Sequence, residues 1–130
     1  CEAGGRPAAV TMGGDFSRGQ PYFRLNVASD RVPLQQIEVV KGKLQDGIFR
    51  ETVVTLWEGS ATSQCIVWQD SEFVEEEPAF WYARVKEEAT ARWSAHHCRA
   101  KDRCDEFPGA DVMIQERAWS SPIWYLPIKE

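Results

Sequence analysis

Asp46-Gly47 stands between two runs rich in β-branched residues, and no other short feature restricts the fold of this chain as much. An Asp-Gly pair supplies the two positive-φ positions of a type I′ turn, whose twist matches that of the strands it joins. The run before it, Leu34 to Leu44, holds Ile37, Val39 and Val40 among Gln36, Glu38 and Lys41. The run after it, Phe49 to Trp57, is centred on Val53, Val54 and Thr55. These runs are predicted to pair as a hairpin, and a hairpin needs further strands to bury its apolar face.

The rest of the chain offers those strands. Phe23, Leu25 and Val27 alternate with Tyr22, Arg24 and Asn26, the period of a half-buried strand. After a turn at Gly59 to Ser63, Gln64 to Gln69 carries Cys65, Ile66, Val67 and Trp68. Ala79 to Lys86 sets Trp81, Ala83 and Val85 against Phe80, Tyr82 and Arg84, and its composition is that of a central strand. Ile114 to Tyr125 reads as the closing strand. Pro122 lies within it, and a sheet accepts proline only at an edge or a bulge. A helix is expected only around Thr90 to Arg99.

The economical architecture is all-β: an antiparallel β-sandwich, immunoglobulin-like in the broad sense, with one long disulfide-stapled connection. Residues 1–20, with five glycines, are expected as an extended arm or loop that turns at Gly13-Gly14-Asp15, and residues 21–130 as a single sandwich domain. A chain of 130 residues supports one core, and six tryptophans supply it with large side chains.

Several function classes are excluded at this stage. The net charge is −5 and no Lys/Arg cluster exceeds two residues, so the basic footprint of a nucleic-acid binder is missing. The apolar runs are far shorter than the roughly 20 residues of a membrane-spanning helix. The early glycines match neither GxGxxG nor GxxxxGK[ST], so no phosphate-cradling loop is assigned.

Four cysteines, Cys1, Cys65, Cys98 and Cys104, allow three complete pairings and contain no CxxC. A local Cys98–Cys104 bridge is the simplest, and it leaves Cys1 with Cys65. Disulfides imply an oxidising compartment, hence a periplasmic or secreted location. A chain that begins at cysteine is either a lipidated mature protein or a piece of a longer one, and the second is expected here.

Candidate chemistry is thin. Asp70 to Glu77 collects four Glu and one Asp, but lacks the alternating ligands and glycine of a calcium loop, so a solvated connection is expected. Glu87 to Val112 holds His96, His97, Cys98 and Cys104. Adjacent histidines tend to diverge, and the usual zinc spacings are missing, so a disulfide beside exposed histidines is favoured over zinc or a cysteine-histidine nucleophile. No catalytic or metal-ligating residue is assigned in this chain. Glu116 and Arg117 are charged residues inside an aromatic strand, so they either form a structural ion pair or dock another domain. Trp119, Trp124 and Tyr22 are candidates for aromatic ligand contacts, with core packing the commoner use of such residues.

Three segments carry a resemblance to a family. Gln115-Glu116-Arg117-Ala118-Trp119-Ser120-Ser121-Pro122-Ile123-Trp124-Tyr125 resembles the C-terminal signature of the bacterial DUF3604 proteins, which are related to PHP-type metal-dependent phosphoesterases. Ala79-Phe80-Trp81-Tyr82-Ala83-Arg84-Val85, preceded by Trp68, Asp70 and Phe73, resembles the penultimate strand of that family, and Arg92-Trp93-Ser94 the segment after it. Leu34 to Gly42 and Met12 to Asp15 match more loosely. The chain departs from the family at Ala91, where proline is common, and in the acidic run Ser71 to Glu75.

The resemblance implies that the chemistry lies upstream. The metal ligands of such proteins sit in an N-terminal catalytic domain, and this chain has neither an HxH nor a DxH motif. The expectation is a non-catalytic C-terminal accessory sandwich of a PHP-like hydrolase. It has no cofactor of its own, a divalent metal belongs to the N-terminal domain, and that domain is the partner. The alternative from another class is a free-standing, carbohydrate-type binding module.

Overall fold

The computed structural model of the chain describes residues 10–106 and 113–128. Its centre is the predicted hairpin. Strand β3 (Leu34–Gln45) pairs antiparallel with β4 (Ile48–Ala61) through the turn at Asp46 and Gly47, whose φ angles are 52° and 75°. Both values fall where a type I′ turn requires them. On its other edge β3 pairs antiparallel with β6 (Ala79–Glu87), so β3 is paired along both edges and its middle is buried.

The closing segment is not one continuous strand. It forms β8 (Met113–Ile114), β9 (Arg117–Trp119) and β10 (Ile123–Tyr125). Strand β9 pairs with Arg84 to Lys86 and β10 with Ala79 to Trp81, both antiparallel and along the same edge of β6. Between them Ser120-Ser121-Pro122 takes one residue more than the facing stretch of β6, which makes a bulge. Pro122 therefore sits where a sheet tolerates it. The ladder is bridged at Ala83, whose N–H donates to Ser120 Oγ at 2.9 Å while its carbonyl accepts from Ser120 N at 3.0 Å.

The expected arm also takes part in the sheet. Gly13 N donates to Pro122 O, and β1 (Asp15–Phe16) runs parallel to β10. The large sheet thus reads β1-β10-β6-β3-β4, with β9 beside β6. The second layer is the antiparallel pair β2 (Tyr22–Ala28) and β5 (Ser63–Gln69). Phe23 and Leu25 of β2 are buried while Tyr22, Arg24 and Asn26 face water, as the alternation predicts. These side chains meet Leu34, Ile37, Val39, Ala79, Trp81 and Tyr125 in one core. Burying an aromatic such as Trp81 contributes at most about 4–6 kcal/mol at about 25 cal/mol/Å².

Two stretches differ from the sequence reading. The turn expected at Gly59 to Ser63 is shorter: β4 continues to Ala61, because Leu34 and Gln36 of β3 supply ladder partners that far, and the chain bends at Thr62. The long connection after β6 is partly regular. It contains β7 (Thr90–Ala91), paired with β8, and helix α1 (Trp93–Ala100), which starts three residues later than the helix expected around Thr90 to Arg99 and ends one residue beyond it. A single turn of 3₁₀ helix at Cys104–Glu106 follows, and Cys98 and Cys104 form the expected disulfide. The Cys1–Cys65 pairing lies outside the described residues, since Cys1 is not among them.

Candidate functional site

Three surfaces are set by strand phase. On β6, Trp81, Ala83 and Val85 point to the second layer, so Phe80, Tyr82, Arg84 and Lys86 face outward. The register carries this outer face across the sheet. Its rows run Trp124, Phe80 and Gly42; then Tyr82, Val40 and Val53; then Trp119, Arg84 and Glu38. Leu44 and Phe49 extend it toward the hairpin. Among the described residues no second sheet covers it: Phe49 is 56% exposed, Trp119 59% and Trp124 42%, with Leu44 and Val53 exposed as well.

Phe80 organises this face. Its ring tip lies over Gly42, so a Cβ on Gly42 would fall on Cζ and Cε1 of the ring. That close approach is why β3 carries glycine in the middle of a strand. Phe49, Tyr82 and Trp124 surround the ring at centroid distances of 6.0, 6.3 and 5.0 Å.

Beside the aromatic band lies a charged cluster. Arg84 Nε donates to Glu38 Oε2 at 2.6 Å and Lys86 Nζ to Glu38 Oε1 at 3.3 Å. Glu38 is 5% exposed. Burial pushes its carboxyl up, but the hydrogen bonds from Arg84 and Lys86, with their charges, outweigh this and hold it below the usual carboxylate value. The same bond to Glu38 raises the Arg84 guanidinium. Glu38 therefore stays ionised at neutral pH and acts as an anchor.

A second polar cluster lies on the inner face. Lys41 Nζ contacts Asp70 Oδ2 at 2.6 Å and donates to Glu72 O at 2.8 Å. Trp81 Nε1 donates to Asp70 Oδ2 at 3.0 Å, and Glu72 N to Oδ1 at 2.9 Å. The acidic stretch is thus not uniformly solvated as expected: Asp70 is 3% exposed and pins the connection to the core. Tyr125 fastens it further on, its phenol donating to Glu75 O at 2.6 Å. Sequence reasoning missed Glu38, Lys41 and Asp70. The available signal was Lys41, an ionisable residue in the same phase as Ile37 and Val39.

The third surface is an apolar recess of about 130 Å³ at the mouth of the sandwich, between Val27, Ala28, Leu34, Val85 and Ala118. Glu116 and Arg117 stand on its rim with Glu87, both exposed. Neither forms an ion pair among the described residues.

The sequence-derived aromatic candidates do not form one platform. Trp119 and Trp124 share the outer face of the large sheet, whereas Tyr22 lies on β2 in the other layer. His96 and His97 are exposed on α1, and the neighbouring disulfide removes both thiolates that a zinc site or a cysteine nucleophile would use.

The family model described as a protein of unknown function, DUF3604, matches residues 51–127, more than half of the chain. The chain belongs to the DUF3604 family. The match begins within β4 and runs through β10, so it includes the exposed Val53, Trp119 and Trp124 of the outer face and the Asp70 anchor. Strand β3, with which β4 and β6 of that DUF3604 segment pair, lies wholly before it. No curated protein and no solved structure matches the chain.

Proposed function

We propose that this DUF3604 chain is a non-catalytic accessory β-sandwich that docks against the N-terminal catalytic domain of a PHP-like metal-dependent hydrolase. The observation that carries this reading is the exposed apolar band on the outer sheet face, running from Leu44 and Phe49 through Val53 to Trp124 and Trp119. Contiguous apolar surface of this kind marks an interaction site, and aromatic anchors dominate the energetics of such interfaces. Glu116 and Arg117 stand exposed on the rim of the neighbouring recess and supply orientation more than affinity. In this reading the divalent metal belongs to the companion domain, and this chain contributes no ligand to it. The Cys98–Cys104 disulfide supports a periplasmic or secreted location.

The test has two arms. The purified chain supplied with Mn²⁺ or Zn²⁺ is expected to leave p-nitrophenyl phosphate intact. The double substitution Trp119→Ser and Trp124→Ser is expected to weaken association with the catalytic domain encoded upstream of Cys1 by at least about tenfold, the effect of losing one aromatic anchor. Metal-dependent phosphoesterase activity in the isolated chain, or an upstream frame without clustered histidines, would sink the proposal.

A second reading, a free-standing module of the carbohydrate-binding type, is favoured by a different observation: a polar groove at the opposite end of the outer face from the hairpin.

A further inference from the structure

Where the outer face of the large sheet meets its last register, Lys86 of β6, Gln36 of β3 and Glu58 of β4 lie side by side across three strands. Gln35 and Gln115 form the facing wall, joined by a hydrogen bond from the Gln115 amide to Gln35 Oε1. Between the walls runs an open groove of about 530 Å³ whose lining is completed by Gly59. That volume falls in the range of small-ligand sites, roughly 300–1,000 Å³. The Trp57 indole lies against Gly59, where a Cβ would come within 2.7 Å of Cζ2. The glycine therefore leaves room for that indole, which packs against the core.

The polar heads are held in place before any ligand arrives. Gln36 Nε2 donates to Glu58 Oε1 at 2.7 Å, Lys86 Nζ donates to Gln36 Oε1 at 2.6 Å, and Lys86 also reaches the buried Glu38 carboxylate at 3.3 Å. A relay anchored on a buried charge spends its side-chain entropy on folding, so less is lost on binding. It also leaves capacity unused. Among the described residues each glutamine amide retains a free N–H, Glu58 its second oxygen and Lys86 its third N–H. Donors and acceptors are therefore interspersed along one wall, which suits hydroxyl groups because each both donates and accepts. Charge narrows the class further. The carboxylate of Glu58 and the ammonium of Lys86 offset each other, so the groove favours neither a phosphate nor an ammonium ligand.

We propose that this groove binds a neutral saccharide. The inference deepens the second reading given above and is independent of the docking face at Trp119 and Trp124. The experiment is an NMR titration of the intact chain with maltohexaose, cellohexaose and mannohexaose, following the side-chain amide signals of Gln35, Gln36 and Gln115. At least one glycan is expected to shift these signals saturably at millimolar concentration. Gln36→Ala and Gln115→Ala should each weaken that binding about tenfold, the loss of one or two hydrogen bonds. Gln115→Ala touches only a surface amide pair, so it reports on binding even if Gln36→Ala disturbs the relay.

Trp124→Ser should leave the titration unchanged. If it abolishes binding, the sugar sits on the aromatic face and the groove proposal is overturned. No shift with any of the three glycans overturns it as well, as does a stronger response to inorganic phosphate. None of these results bears on association with a catalytic domain, so the two readings fail separately.

Discussion

Trp119 and Trp124 lie five residues apart and yet on the same face of the sheet. In an unbroken strand an odd separation puts two side chains on opposite faces. The extra residue in Ser120-Ser121-Pro122 restores the phase, so β9 pairs with Arg84 to Lys86 and β10 with Ala79 to Trp81 while both tryptophans point outward. The bulge is what assembles the aromatic band, and Ser120 is the residue that makes the bulge affordable, because its hydroxyl accepts the Ala83 N–H that the interrupted ladder would leave unpaired.

Ser120→Ala should therefore cost about 1 kcal/mol, the low end of the penalty for an unpaired donor, because the Ala83 N–H is only partly buried. Urea denaturation gives the magnitude, and hydrogen exchange gives the place. Faster exchange should be confined to Ala83 and β9, while the amides of β3 keep their protection. Uniform loss of protection throughout the sheet would contradict a local role.

The same bulge shows where sequence reasoning reaches its limit. The hairpin was legible because Asp46-Gly47 carries its geometry in two residues, and β2 and β6 were legible because their alternation is undisturbed. Pro122 signalled an edge or a bulge, but nothing in the segment says that exactly one residue is extra, and without that number the facing of Trp119 cannot be derived. Asp70 was misread for a related reason. Its neighbours Glu72, Glu75, Glu76 and Glu77 give it the composition of a solvated loop, and only the register of β3, which turns Lys41 inward, gives it a buried partner. The polar groove is assembled from four segments distant in sequence, so no local pattern announces it.

Asp70 should be among the most sensitive positions. Asp70→Ala leaves the Lys41 ammonium and the Trp81 N–H buried with no side-chain acceptor, and breaking a buried pair in this way costs about 3–5 kcal/mol. The double variant Lys41→Met with Asp70→Ala removes both charges and should recover much of that loss. A double-variant loss equal to the sum of the two single losses, measured by chemical denaturation, would show that the pair is not coupled.

Stability should fall at both ends of the pH range, for opposite reasons. The Glu38 carboxyl titrates below its ordinary value of 4.5 in the folded chain, so the unfolded state takes up protons first. Its contribution is complete above about 4.5 and is lost as pH falls through the lower folded value. Glu38→Gln should flatten this acid limb. Tyr125 behaves in the opposite sense: burial, together with the charges of Glu75 and Glu76, raises its phenol above 10.0. Its contribution is complete below 10 and disappears as pH rises through the folded value, when ionisation also removes the hydrogen bond to Glu75 O. Tyr125→Phe should flatten the alkaline limb alone. The check is urea stability measured against pH for the three proteins, and identical slopes would refute the assignment.

Helix α1 should depend on its disulfide more than the sheet does. It has eight residues, no side-chain cap at its N-terminus and no acidic residue in its first turn, and of its side chains only Ala95 and Cys98 are buried. An isolated helix of that length is marginal in water. The Cys98–Cys104 bridge closes a short loop, which by the chain-entropy relation is worth about 2 kcal/mol. Replacing both cysteines by serine, or adding dithiothreitol, should accelerate exchange of the α1 amides. Those of β3 and β6, whose ladders lie elsewhere, should keep their protection. Trp93 sits at the start of α1 with its ring near His97, at a centroid distance of 6.0 Å, and offers a second signal. Loss of that contact should change its fluorescence while the signal from the buried Trp81 stays constant. If the sheet melted together with the helix, the disulfide would be supporting the whole domain, and the division between a stapled connection and a self-sufficient sandwich would fail.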